Sequence, residues 1–213
     1  MRILNLYACL GGNRYKWGNE HKITAVELDA DLAAMYKIRF PDDKVIIADA
    51  HQYLLDHYKE FDFIWSSPPC PSHSKARFAR QATTSPQFPD LKLYEEIIFL
   101  DNYFKGKYCV ENVIPYYTPL IPAKKRGRHL YWTNFLLPSV LSVRVGNFME
   151  GKDELKNWCK FHDIDLTSYK GSQRKDKIAR NLVDYEAGKT ILNTAIGLIQ
   201  QPKNKQQYLF EPV

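Results

Sequence analysis

Through its first 135 residues the chain alternates short apolar runs with stretches of helical spacing, and most of the apolar runs end in a polar or reactive side chain. "RILNLYA", "HKITAVEL", "KVIIADA", "FDFIWSS", "KYCVENV" and "RHLYWTNF" read as strands. Between them, "ADLAAMYKIRF" puts Leu32, Met35, Tyr36 and Phe40 on one stripe before Pro41 stops it. "QYLLDHYKEF" and "LKLYEEIIFLDNYF" also read as helices. Strand–helix alternation of this kind predicts an α/β fold, an open and mostly parallel sheet with helices on both faces. Such sheets bind ligands at the carboxyl ends of their strands. Glu27, Asp49, Cys70 and Glu111 are all predicted on that one edge.

After Pro138 the alternation fades. Residues 1–138 read as the core and 139–189 as a small irregular insertion with one short helix, "KDELKNWCKFH". Residues 190–213 read as a returning helix, "TILNTAIGLIQ", and a polar tail that stays loose until Tyr208-Leu209-Phe210. No internal repeat is seen.

At 213 residues and 45% hydrophobic, the chain supports one good core. It has no apolar run of bilayer length, and "MRILNLYACLGG" reads as a strand entering a turn, not as a leader. A soluble, cytoplasmic protein without a membrane partner is expected. Four cysteines, Cys9, Cys70, Cys109 and Cys159, show no CxxC pairing, so neither a disulfide scaffold nor a metal site is signalled. The net charge is +6, and bases cluster in "SKARFAR", "KKRGRH" and "KGSQRKDKIAR". Any one cluster reads as solvated surface. Three clusters, two of them beside candidate chemistry, point to a polyanionic partner such as nucleic acid.

Three features suggest an adenosine-containing cofactor. Gly11-Gly12 after the first strand allow close backbone approach. Glu27, before Leu28, can accept from ribose hydroxyls, and Asp49, before Ala50, can accept from an exocyclic amine. Either carboxylate could equally be a helix cap. The glycine pair departs from GxGxxG, which argues against a dinucleotide and toward S-adenosylmethionine. The second constellation is "SSPPCPSHSKAR". Cys9, Cys109 and Cys159 read as inert thiols, but Pro68-Pro69 fix the backbone before Cys70, and Lys75 and Arg77 are candidates to stabilise its thiolate. Glu111 in "YCVENV" reads either as an acid with a raised pKa or as the partner of Arg126 or Arg128.

In order, "NLYACLGGNRYKWG", "VELDADLAAMYKIRFP", "ADAHQYL", "SSPPCPSHS", "YCVENV" and "KKRGRHLYWTNF" resemble the motifs of the cytosine-5 DNA methyltransferases. The resemblance covers most of Met1 to Phe135. It implies a Rossmann-like S-adenosylmethionine-dependent methyltransferase fold. It also implies methylation of cytosine in DNA through a cysteine adduct at carbon 6 of a flipped-out base. Cys70 would be the nucleophile and Glu111 the group that holds or protonates ring N3. Asn112 would brace the loop, and Arg128 and Arg126 would contact base and backbone. Tyr7, next to Ala8, would stack on the adenine. Glu27 would hold the ribose and Asp49 the adenine amine. Pro68, Pro69 and Ser74 would shape the pocket.

Three departures stand out. Pro71 follows the nucleophile where the family usually has glutamine. Cys9 sits where glycine is expected. The recognition region is reduced to about 50 residues, as in small phage-type members. Its Lys170, Arg174, Lys175 and Lys177, with Lys75 and Arg77, are candidate phosphate contacts. Asn193 is a candidate support. A partner protein or oligomer could supply the missing recognition surface, and small size suggests a role in evading restriction. RNA as substrate, or a non-catalytic nucleic-acid-binding module, are the rival readings.

Overall fold

The computed structural model describes residues 1–80, 83, 85–142 and 153–199. Five strands run parallel: β1 (Arg2–Leu6), β2 (Lys22–Glu27), β3 (Lys44–Ile47), β4 (Phe63–Ser66) and β5 (Lys107–Val113). Two more, β6 (Lys124–Arg126) and β7 (His129–Thr133), close one side as an antiparallel hairpin. The sheet order is β3-β2-β1-β4-β5-β7-β6. The chain leaves β1 in one direction to β2 and returns on its other side at β4, so the switch point lies between the ends of β1 and β4.

Side-chain alternation sorts the strands onto two cores. Leu4, Leu6, Ile64 and Val110 face one way and pack on α2 (Ala50–His57) and on α4 (Lys92–Tyr103), which follows the one-turn α3 (Lys75–Phe78). Ile3, Phe63, Trp65 and Cys109 face the other way, toward Trp17 and α7 (Tyr185–Ala195). Both α/β layers are therefore covered, as the alternation predicted.

Local chemistry fixes the helix starts. Asp29 caps α1 (Ala30–Arg39), accepting from the amides of Asp31 and Leu32. Asp49 caps α2 through the amide of Gln52. Asp184 caps α7 through the amide of Glu186.

The stretch after β7 is more ordered than expected. It contains α5 (Glu154–His162) and also α6 (Lys175–Asn181), and α7 begins at Tyr185, inside the segment read as irregular. Trp158, Leu166, Tyr169, Ile178 and Leu182 form a third cluster with Leu10 and Leu32 of the core. The expected tail at 200–213 and part of the insertion, 143–152, lie outside the described residues. Among the described residues, no helix is long and apolar enough to cross a membrane.

Candidate active site

One cavity of about 1270 Å³ runs along the carboxyl edge of the sheet, from Glu27 and Asp49 at one end to Cys70 and Glu111 at the other. β7 is antiparallel, so its first residues lie at this edge too, and Arg128 and His129 join the wall.

Cys70 sits on the turn after β4. Its carbonyl accepts from the amides of His73 and Ser74 at 3.0 and 3.1 Å, which folds Pro69-Cys70-Pro71 back toward the cavity. The turn is tied to β5: the Asn112 amide donates to the Pro68 carbonyl at 2.9 Å, and the Asn112 side-chain oxygen accepts from the amide of Val113. Asn112 is 2% exposed, so it is a buried brace between two strand ends. Burial pushes the Cys70 thiol up, and the Glu111 carboxylate pushes it further. The opposing cation is Lys177 of α6. Lys75 and Arg77, expected in that role, line the same cavity but contribute no resolved shift to the thiol.

Glu111 is 6% exposed. Its Oε1 lies 3.5 Å from His129 Nε2. Arg126 does not line the cavity; it donates to the carbonyls of Leu137 and Pro138 and so holds the chain after β7. The Arg128 guanidinium lies over the Trp158 ring, 5.7 Å from its centroid, while remaining on the cavity wall.

At the other end, both Glu27 oxygens accept one backbone amide each, from Cys9 at 2.8 Å and Asp29 at 2.9 Å. Burial raises this carboxyl, and these amides oppose the rise. Cys9 reaches Glu27 with φ of 47°, in the left-handed region, which explains why glycine suits this position. Gly11 (φ 67°) does not line the cavity: a Cβ there would meet Phe40 at 2.5 Å, so this glycine serves the packing of α1. Gly12 does line it, and a Cβ would meet the Val183 carbonyl at 2.5 Å.

Tyr7 lines the cavity, but its hydroxyl is engaged below it, donating to buried Glu96 at 2.6 Å. Ser66 donates to the other Glu96 oxygen. Ala8, Leu28, Ala50 and Pro68 complete the apolar wall, and Leu28 is 69% exposed.

Of the expected nucleic-acid contacts, Ser74, Lys75, Arg77 and Lys177 line the cavity. Lys170, Arg174 and Lys175 do not. Arg174 is held by Asp176, and Lys175 donates to the Thr167 carbonyl at 3.2 Å. Asn193 lies in α7, away from the wall, where its carbonyl accepts from the amides of Leu198 and Ile199. His129, Gln173 and Arg80 also line the cavity; all three stand in the basic clusters read from the sequence, which assigned them no site role.

The family model for C-5 cytosine-specific DNA methylases matches residues 1–113, more than half of the 213-residue chain. The chain belongs to this family. No curated protein matches it. Among solved structures, a DNMT2 mutant from Spodoptera frugiperda is 25% identical with a TM-score of 0.40, over 53% of this chain and 35% of that one. A putative DNA modification methyltransferase encoded within an E. coli prophage is 19% identical with a TM-score of 0.39, over 55% of this chain and 33% of that one. This chain thus spans about a third of either protein. The Entamoeba histolytica methyltransferase EhMeth is 8% identical but matches over 94% of this chain and 99% of its own, with a TM-score of 0.52, which supports the Rossmann-like methyltransferase fold.

The cofactor that goes with family and fold is S-adenosylmethionine. The cavity suits it. Adenosine presents hydroxyl and amine donors, and the far end offers two carboxylates beside an apolar wall. A carboxylate has about four acceptor sites, so Glu27 can take a ligand hydroxyl beside its backbone amides. About 1270 Å³ also exceeds the usual small-ligand pocket and leaves room for a base beside the cofactor.

Proposed function

We propose that the chain methylates carbon 5 of cytosine in DNA, with Cys70 as covalent nucleophile. The observation that carries this reading is the meeting of Cys70 and Glu111 in the cavity that also holds Glu27 and Asp49, with Asn112 bracing the two strand ends.

Bound S-adenosylmethionine supplies an electrophilic methyl group on a sulfonium. Glu27 would accept from the ribose hydroxyls and Asp49 from the adenine amine, with Tyr7, Leu28, Ala50 and Pro68 against the ring. Cys70 attacks carbon 6 as the thiolate, forming a sulfur–carbon bond and moving a ring electron pair toward N3. Glu111 stabilises that charge by holding or protonating N3. Carbon 5, now nucleophilic, takes the methyl group. Its proton then leaves to water, the sulfur–carbon bond breaks, and Cys70 is restored as thiolate. Lys177 favours the thiolate at the start and the end of this cycle. The buried cavity cannot admit a stacked base, so the cytosine must leave the helix. Lys75, Arg77 and Lys177 line the entrance and suit its phosphates.

The decisive experiment incubates the protein with S-adenosylmethionine and duplex DNA, digests to nucleosides and looks for 5-methylcytosine by mass spectrometry. Signal is expected, and Cys70→Ala should abolish it. A Cys70→Ala protein that still methylates would overturn the mechanism, and signal on RNA but not on DNA would overturn the substrate.

A further inference from the structure

His129 has no part in the chemistry above, yet its ring lies beside the buried acid. The sheet register explains the meeting. Val113 pairs with His129 and Glu111 with Tyr131, so Glu111 and His129 are diagonal neighbours on one face of β5 and β7. Nε2 of His129 lies 3.5 Å from Oε1 of Glu111, and both line the cavity. The Glu111 side chain is 8% exposed and the His129 side chain 22%, so the imidazole bridges the acid to water.

Protonating N3 near neutral pH poses a problem for a lone carboxyl group. In water a glutamic acid is ionised above about pH 4.3, whereas an imidazole keeps its proton to about pH 6.5. We propose that His129 is a positioning and proton-relay residue that holds the proton Glu111 delivers to N3. This rests on the reading of Cys70 and Glu111 given above.

The relay needs one proton held between His129 and Glu111 before the base enters. As the Cys70 sulfur bonds to carbon 6 and an electron pair moves to N3, a proton passes from His129 to the Glu111 carboxyl group and from that group to N3. The imidazole is left neutral. When the sulfur–carbon bond breaks, N3 gives the proton back along the same path.

The surrounding charges leave this role to His129. Cys109 on β5 and Cys70 beside β4 both face Glu111, and burial pushes both thiols up. Lys177 faces Cys70, and Lys124 of β6 faces Cys109. Arg128 precedes His129, and Tyr131 stands opposite Glu111. Lysine, arginine and tyrosine do not change charge near pH 7.

The test measures kcat and KM for cytosine methylation from pH 5.5 to 8.5 in wild type, His129→Gln, Glu111→Gln and Cys70→Ala, with cofactor affinity as the check of folding. For His129→Gln the loss in kcat should grow from about threefold at pH 5.5 to about 50-fold at pH 8, with KM nearly constant. Glu111→Gln should lose activity at every pH. If His129→Gln does not bind the cofactor, His129→Asn is measured with the same expectation. A loss that is the same at every pH, with wild type active and Cys70→Ala dead, overturns the relay alone. A wild type that methylates at no pH overturns the reading of the site and the relay with it.

Discussion

The Cys70 thiol sits under opposed charges. Glu111 pushes its thiol up and Lys177 pulls it down, on top of burial. Removing either partner should therefore move reactivity in opposite directions. At pH 8, Lys177→Met should slow alkylation of Cys70 by iodoacetamide by about three- to tenfold, and Glu111→Gln should speed it by a similar factor. Peptide mapping that isolates Cys70 from the other thiols reads this directly, and equal rates in the two variants would mean the charges do not reach the sulfur. Residue identity was legible here where chain neighbours do the work: Pro68-Pro69 ahead of the thiol, and Asn112 next to Glu111. Lys177 was not, because 107 positions separate it from Cys70 and only the folding of α6 over the edge brings them together. The role of Arg126 in holding the chain after β7 was equally hidden, since its acceptors, the carbonyls of Leu137 and Pro138, are 11 and 12 positions away.

The elements with strong apolar periodicity were readable, and β6 and α6, which were missed, have almost none. β6 is Lys-Lys-Arg, an edge strand whose charge blunts the sheet edge and hides its strand character. α6 buries only Ile178 and Ala179 in "KDKIARN", and a seven-residue helix needs tertiary packing to exist at all. That packing is supplied by the third cluster, and by a latch at the end of β2. The Tyr169 hydroxyl donates to Asp29 at 2.7 Å, and Gln173 adds a second donor at 3.3 Å, while Asp29 also caps α1. Tyr169→Phe should weaken docking of the insertion by about 1–2 kcal/mol, since the lost bond is to a charged acceptor. Hydrogen exchange over 153–183 should rise by about tenfold while the strands of the sheet stay protected. Unchanged exchange would show that apolar contact alone holds the insertion down.

At the scale of the molecule, stability in acid depends on His162. It is 1% exposed and stacked on Trp158, and neither ring nitrogen has a partner among the described residues. Burial, aided by Arg39, lowers its pKa to about 4. The unfolded chain takes up a proton near pH 6.5, and the folded one resists, so stability is full above that pH and falls as pH drops toward 4. The loss at pH 4 is on the order of 3 kcal/mol. Urea midpoints of wild type and His162→Phe should diverge steadily below pH 6.5, and parallel curves would rule out this linkage. The overall architecture was the most legible level, since an alternating pattern with polar strand ends leaves few topologies open. The boundary of the insertion was the least, since α7 starts inside it at Tyr185. The latch on Asp29 has one more consequence. Residues 153–183 supply Tyr169 to the Asp29 carboxylate, Trp158 under Arg128 and Lys177 opposite the thiol. An engineer who grafted a different segment into this gap would be rebuilding the cavity wall itself, so under the proposed function target choice and catalytic power would have to be bred together.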